Sequence, residues 1–542
     1  MEGRAGHGQP DALRSEGPAQ DQESKEGVIL ASGARPPSVT FVLLADEARD
    51  QTERFIRSVG ASESSSVDFV IISSKAPQNL VAGNASVRLL KEDESLAEAV
   101  NAAVEASTSD FISVLRPTGV ATTGALEVFA TFVEEHPLAE LIYTNEAVAG
   151  LGSDMEALNK PIFSPERLRC QFYFGDLVFY RRELFLRAGG LNPSRAGALL
   201  YDLALRSTRK SQAVELIGEQ LFLRDRVPGG VTLLNDEALA STRAALTEHL
   251  EATGGGIVKS VDPRGVHDTR RLVVGEPLIS IVIPTRGMYS VVDGERRCFV
   301  IDAVKSVMER STYRSFELVL VIDSVADPKV VTELERLAGD QIRFVEWAKP
   351  FNFSDKVNLG VLHSHGEFVL LLNDDVDVIS PDWLESLLSL AQLPGAGMVG
   401  GMLYYADETI QHAGHAYHEG DASHIGLDVP RGDRGPLDGY LVEREVVGVT
   451  AACAMMPRDV YFEVGGLSNL LPGNFNDVDL CMKTTWIGHD IYWTPHAELY
   501  HFESKTRDAS VHTFEVNVAW GRWSFRMNDT RYWPYALSRP PR

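Results

Sequence analysis

A chain of 542 residues is too long for one ordinary hydrophobic core, and 44% hydrophobic with 23% charged residues describes a globular protein of two or three domains. Its 51 basic and 76 acidic residues leave a formal charge of −25, which argues against general affinity for nucleic acid or an anionic membrane surface. Four scattered cysteines form no CxxC pair, and no run approaches the roughly 18 apolar residues of a spanning helix or the layout of a leader peptide. The expected compartment is a reducing cytoplasm, with any membrane contact peripheral.

Residues 1–37 are rich in Gly, Glu, Gln, Pro and Ser and nearly free of aromatics, which predicts a disordered arm. Short buried strands at Val39–Leu44 and Val67–Ile72, with a helical stretch between them, open an alternating α/β domain over 38–230. A connector with Gly254-Gly255-Gly256 covers 231–275. A second alternating domain, 276–510, starts with strands at Leu278–Pro284 and Phe316–Asp323 and a helix near Ile301–Glu309. Crossovers of that length imply parallel strands, whose carboxyl ends are where ligands sit. An aromatic tail, 511–542, carries Trp520, Trp523, Tyr532, Trp533 and Tyr535 among arginines. It reads as packing against the second domain, as a sugar-stacking platform or as a shallow membrane contact.

The halves can be superimposed as sequences. Val100-Asn101 matches Val357-Asn358 at an offset of 257 (358 − 101), and the same offset aligns Asp110-Phe111 with Glu367-Phe368. Further on, Gly189-Gly190-Leu191 matches Gly465-Gly466-Leu467, and Asp202-Leu203 matches Asp479-Leu480. These registers set Thr118 opposite Asp375, Val120 opposite Asp377 and Leu200 opposite Asp477. The expectation is one fold twice, with acids kept only in the second copy.

Those acids follow the apolar run Phe368–Leu372 as Asn373-Asp374-Asp375-Val376-Asp377. Crowded carboxylates repel one another unless a cation sits among them, and alternation along an extended chain predicts Asp375 and Asp377 on one side. The alternative is an acidic turn before a helix starting at Ser380-Pro381-Asp382-Trp383.

The ordered motifs resemble family 2 glycosyltransferases of the GT-A fold: the opening Ile281-Val-Ile-Pro-Thr-Arg286, the Asn373–Asp377 stretch, Gly448–Cys453, Gly465-Gly-Leu467, Asn476–Cys481 and Pro495–Ser504. The likeness is to polysaccharide and O-antigen type members. It covers about 276–508, with a weaker, degenerate copy over about 38–228, and implies an α/β architecture of two nucleotide-diphospho-sugar-transferase-like domains. It also implies an inverting transfer from a nucleotide-sugar donor to a glycan or lipid-linked glycan, with a divalent cation (Mn2+ or Mg2+), in cell-surface polysaccharide assembly.

By that resemblance Asp375, Asp377 and His501 would hold the metal. Asp477 would be the base that takes the acceptor proton, although Asn476 replaces the family's usual Glu before it. Pro284, Thr285, Asp323, Asn358, Asp374 and Arg507 would contact the donor. Without the family, His501 reads as an interior histidine, Asp477 as a helix N-terminal charge, Asp323 as a strand-end turn residue and Arg507 as a surface arginine. His412, His415, His418 and His424 lack the cysteines or acid of a familiar zinc site, so a loop beside the acceptor is expected. A non-catalytic glycan-binding scaffold on the same fold is the alternative function.

Overall fold

The computed structural model describes residues 35–45, 49–60, 66–74, 85–149, 155–226, 233–292, 295–502 and 511–535. The predicted arm up to residue 34 and Arg507 lie outside them.

Eight strands form the first sheet: β1 Val39–Leu44, β2 Val67–Ser73, β3 Ala85–Leu89, β4 Phe111–Leu115, β5 Gly119–Ala121, β6 Leu141–Ala149, β7 Val178–Arg181 and β8 Val214–Arg224. Their order is β3-β2-β1-β4-β7-β6-β8-β5, with Met155–Leu158 added beside β6. The second sheet uses β9 Ile279–Thr285, β10 Phe316–Asp323, β11 Ile342–Trp347, β12 Phe368–Leu372, β13 Val376–Val378, β14 Ala396–Tyr404, β15 Cys453–Pro457 and β16 Asp490–His501. Its order is β11-β10-β9-β12-β15-β14-β16-β13, the same order with each number raised by eight. The senses agree pair by pair: four contacts in each are parallel, and those around β7 and β15 and at β5 and β13 are antiparallel.

Near-continuous apolar runs make these central strands, because both faces are covered. Along β9, β10 and β12, alternate residues feed different layers. Ile281, Ile283, Leu318, Leu320 and Leu370 pack with Val300, Val304 and Val307 of the helix Phe299–Arg310. Val282, Val319, Val321, Val369 and Leu371 pack with Val357 and Val361 of the helix Phe353–Leu362. Each such side chain contributes about 1.5–3 kcal/mol on burial. Chain order reverses between β9 and β12, which opens a crevice at their carboxyl ends.

The stretch expected to be a plain connector is structured. It holds a helix, Asp236–Ala252, capped by the Asn235 side chain, and an antiparallel pair, Gly256–Val261 with His267–Arg271. This pair helps close a buried polar seam between the halves. Arg169, fully buried, pairs with Glu166 at 2.6 Å and with Glu443 of the second half, and donates to the Thr269 carbonyl. Arg271 pairs with Glu166 at 2.5 Å. Burial would raise the Glu166 carboxyl, but Arg169 and Arg271 hold it down to about 2. Ser164 donates to Glu445, whose own carboxyl is pushed up to about 8 by burial and by the Glu166 charge.

The tail also packs. Trp533 is buried, stacked on Tyr440 and next to the Arg444 guanidinium, and the Tyr535 hydroxyl donates to the Asn159 carbonyl of the first half. Among the described residues no helix is long and apolar enough to cross a membrane.

Candidate active site

The acids leave the sheet where β12 ends. Asn373 follows the strand, Asp374 and Asp375 form a turn, and only with Val376 does extended chain resume. Period-two alternation, on which the expected pairing of Asp375 with Asp377 rested, therefore does not run through Asp375. Asp377 turns instead to Arg310, 2.9 Å away on the neighbouring helix. Asp375 is buried, with its Oδ1 3.2 Å from Nε2 of His501, the last residue of β16. Asn373 Nδ2 lies 3.0 Å from the same nitrogen.

The second imidazole nitrogen identifies the tautomer. His501 Nδ1 donates to Gln411 Oε1 at 2.6 Å, which leaves the lone pair of Nε2 facing Asp375. Gln411 comes from a three-residue strand, Ile410–His412, that pairs with β14. It carries no signal of its own in sequence, since its partner lies 90 residues away. A carboxylate and a preset imidazole are a donor set that could hold a divalent cation whose shell ligand oxygens complete. Of the three expected ligands, Asp375 and His501 are brought together, while Asp377 pairs with Arg310.

Across the crevice from β12, Thr285 at the end of β9 donates to Asp374 at 2.6 Å. Burial, and then the charge of Asp375, push the Asp374 carboxyl up to about 7. Lys356, buried in the helix Phe353–Leu362, donates to the Thr285 carbonyl and to Asp323, each at 2.7 Å. Burial lowers its ammonium against the pull of Asp323. Thr285, Asp323 and Asp374 are thus gathered as expected, through a lysine that sequence reading missed. A small cavity of about 40 Å³ opens here, lined by Thr285, Arg286, Gly287, Phe299 and Asp374. Pro284 precedes Thr285 in β9.

Asn358 is engaged elsewhere. Its Nδ2 donates to the Leu467 carbonyl at 2.8 Å, and its Oδ1 accepts from Leu467 N–H and from the Tyr461 hydroxyl. Through these bonds it clasps the Gly465-Gly466-Leu467 turn, while remaining half-buried at the edge of a cleft. Gly466 has φ +62°, and a Cβ there would lie 2.6 Å from Asn358 Oδ1, so both the backbone and the close approach require glycine.

Asp477 stands half-buried in the first turn of the helix Asn476–Trp486, entered through Phe475 in the left-handed region. Two residues on, Asp479 faces about 200° away on the helix. It is wholly buried against Arg522 Nη1 at 2.9 Å and Trp523 Nε1 at 2.8 Å, and borders a cleft of about 740 Å³ with Asn358, Lys483 and Arg522. Asp479 is a charge partner, whereas the Asp477 carboxylate, among the described residues, accepts from the adjacent Val478 N–H. The turn before it is clamped by Glu515 of the tail, which accepts from Gly473 N–H, Asn474 N–H and the Asn474 amide.

Beside Asp477 sits a group that sequence spacing discounted. His412, His415 and His424 each bring a ring nitrogen within 4.8 Å of the others, while His418 is exposed and stands apart.

Residues 280–465 match glycosyl transferase family 2. The chain is 33% identical over 444 residues to the uncharacterized protein y4gI of Sinorhizobium fredii, covering 79% of this chain and 48% of that one. It is 29% identical over 517 residues to the O-antigen biosynthesis protein RfbC of Myxococcus xanthus, covering 91% of this chain and 39% of that one. The chain thus spans half or less of the length of these relatives. Among solved structures, GalNAc-T7 with UDP, GalNAc and Mn2+ aligns with 14% identity and a TM-score of 0.37, over 47% of this chain and 50% of that one.

Proposed function

Since residues 280–465 form a family 2 glycosyltransferase domain, we propose that the chain is a metal-dependent, inverting glycosyltransferase. It takes a sugar from a nucleoside diphosphate to a hydroxyl of a glycan or lipid-linked glycan. The observation that carries this reading is the Asp375–His501 pair with Gln411 fixing the imidazole, set in the same domain as the Asp477 carboxylate.

Asp375 and His501 would hold the divalent cation, which neutralises charge growing on the leaving diphosphate and so stabilises the transition state more than the ground state. Thr285, Asp323 and Asp374, linked through Lys356, wall the nucleoside end of the crevice. Asp477 accepts the proton of the acceptor hydroxyl as its oxygen bonds to the anomeric carbon, and the bond to the diphosphate oxygen breaks on the opposite face. A single displacement inverts the configuration.

The likeness to an O-antigen biosynthesis protein supports cell-surface polysaccharide as the product. Such work suits the cytoplasm or the inner membrane face, with the protein held there peripherally. The first half is proposed to be a catalytically silent copy that braces the acceptor side through the buried seam.

Calorimetry of the whole chain against UDP, GDP and dTDP, with and without Mn2+, tests the reading. Binding of one nucleotide only with metal is the expected result. Folded protein that binds none of them would overturn it in favour of a glycan-binding scaffold.

A further inference from the structure

The histidine cluster is assembled from three strands that the chain folds together. His412 ends the strand Ile410–His412, and His415 and His424 are directly opposed in the hairpin His415–His418 with Asp421–His424. Ring centroids are 4.8 Å apart for His412 and His424, 5.0 Å for His415 and His424, and 5.1 Å for His412 and His415. His412 and His415 are 1% and 2% exposed. Burial and the neighbouring imidazoles hold both in the neutral form, the form that binds metal.

Among the described residues, His415 Nδ1 is buried with no hydrogen-bond partner, and so is the Tyr417 hydroxyl, which leaves a ring nitrogen of the cluster unsatisfied. Both lie close against Gly448, where a Cβ would come within 3.0 Å of the first and 2.5 Å of the second, so only glycine fits there. Thr450 N–H donates to His412 Nε2, so His412 carries its proton on Nδ1 and donates it to His424 Nδ1, 3.0 Å away. Nitrogens bound to one zinc at about 2.0–2.1 Å are separated by roughly 3.4 Å along a tetrahedral edge. The pair is close to that spacing.

We infer that His412, His415 and His424 form a second cation site, for a borderline transition metal of the Zn2+ class, distinct from the Asp375–His501 site. Three neutral nitrogens suit such a metal, whereas a carboxylate with diphosphate oxygens suits Mn2+ or Mg2+. On binding, the His412 proton passes from Nδ1 to Nε2 and the 3.2 Å bond from Thr450 N–H is given up. The Asp477 charge, felt at His415, favours the cation; the Arg444 charge, felt at His412, opposes it. The ion would pin the strand to the hairpin beside the catalytic helix.

The test uses the whole chain carrying Asp375→Ala and His501→Ala together, stripped with EDTA, dialysed and titrated with Co2+. One equivalent of Co2+ with visible d–d absorption, and a rise in melting temperature with Zn2+, is expected here, and the same absorption band in the unaltered protein, where the Asp375–His501 site can add a second equivalent. Adding His424→Ala or, separately, His415→Asn should abolish the absorption, with circular dichroism confirming the fold. No Co2+ binding by the double variant, or binding that survives both histidine changes, would overturn the site. Failure of nucleotide binding in the unaltered protein counts against the donor reading and leaves the cobalt result standing.

Discussion

The two halves share a sheet and differ where the sheet meets solvent. In the second, Val376 of β13 faces His501 of β16, with Asp375 just before it. At the corresponding place in the first, Gly119 of β5 faces Arg224 of β8, with Thr118 just before it. Arg224 and Thr118 both donate to Asp176, at 2.8 and 3.0 Å. A guanidinium with its charge already neutralised stands in the first half where the second has an imidazole beside a carboxylate.

The shared motifs have the opposite character. Asn101 clasps Leu191 through the same pair of backbone bonds that Asn358 makes to Leu467. Arg206 donates to the Gly190 carbonyl while pairing with Asp202, and Lys483 donates to the Gly466 carbonyl while pairing with Asp479. What recurs is scaffold; what differs is chemistry.

The largest expected effect falls on a residue with no counterpart, since Leu200 stands where Asp477 does. Asp477→Asn should lower kcat by about 10²–10⁴-fold, the range of general base catalysis, with donor affinity nearly unchanged in calorimetry. Asp375→Ala should weaken metal-dependent donor binding as well, and equal loss of binding in both variants would sink this division of roles. The matched pair comes next. Asn101→Ala and Asn358→Ala should each destabilise by about 1–3 kcal/mol in urea unfolding, the scale of orphaned backbone groups. An Asn358 variant of full stability that had lost only donor affinity would return that residue to the ribose.

A smaller effect separates the two acids of one turn. Asp377→Ala removes only a partly exposed pair with Arg310 and should leave the donor Kd within about fivefold, the measure of 1 kcal/mol for such a pair. A last effect, read in stability against pH, concerns the seam between the halves. The folded Glu445 carboxyl sits at about 8, above its ordinary value of 4.5. Its contribution is therefore fully present below about pH 4.5 and is lost as pH rises through 8. Glu445→Gln should flatten the fall of the urea midpoint between pH 5 and 8.5 without changing it at pH 5.

The strands, the order of motifs and Asp477 at a helix start were legible because each is written in a short run of residues. The alternation read for Asp375 and Asp377 was carried through a turn: Asp375 precedes β13 and the rule begins only at Val376. The bonds of Asn358 to Leu467 recur at Asn101, so its motif also reports the fold that the halves share. Gln411, Lys356 and Glu515 were missed because their work is done on partners 90, 33 and 41 or more residues away. The histidine cluster was set aside because it lacks the cysteines or acid of a familiar zinc site, and the sequence does not show the hairpin that folds His424 back onto His415.

The strand Ile410–His412 is only three residues long, yet consecutive side chains on it look into different chambers. Gln411 reaches His501, and His412 reaches His424 and Thr450. This strand is a party wall one peptide thick, and a wall that thin cannot be furnished on one side alone. A shift of this strand that moves Gln411 against His501 also carries His412 against His424, so the two contacts are joined through one short run of backbone.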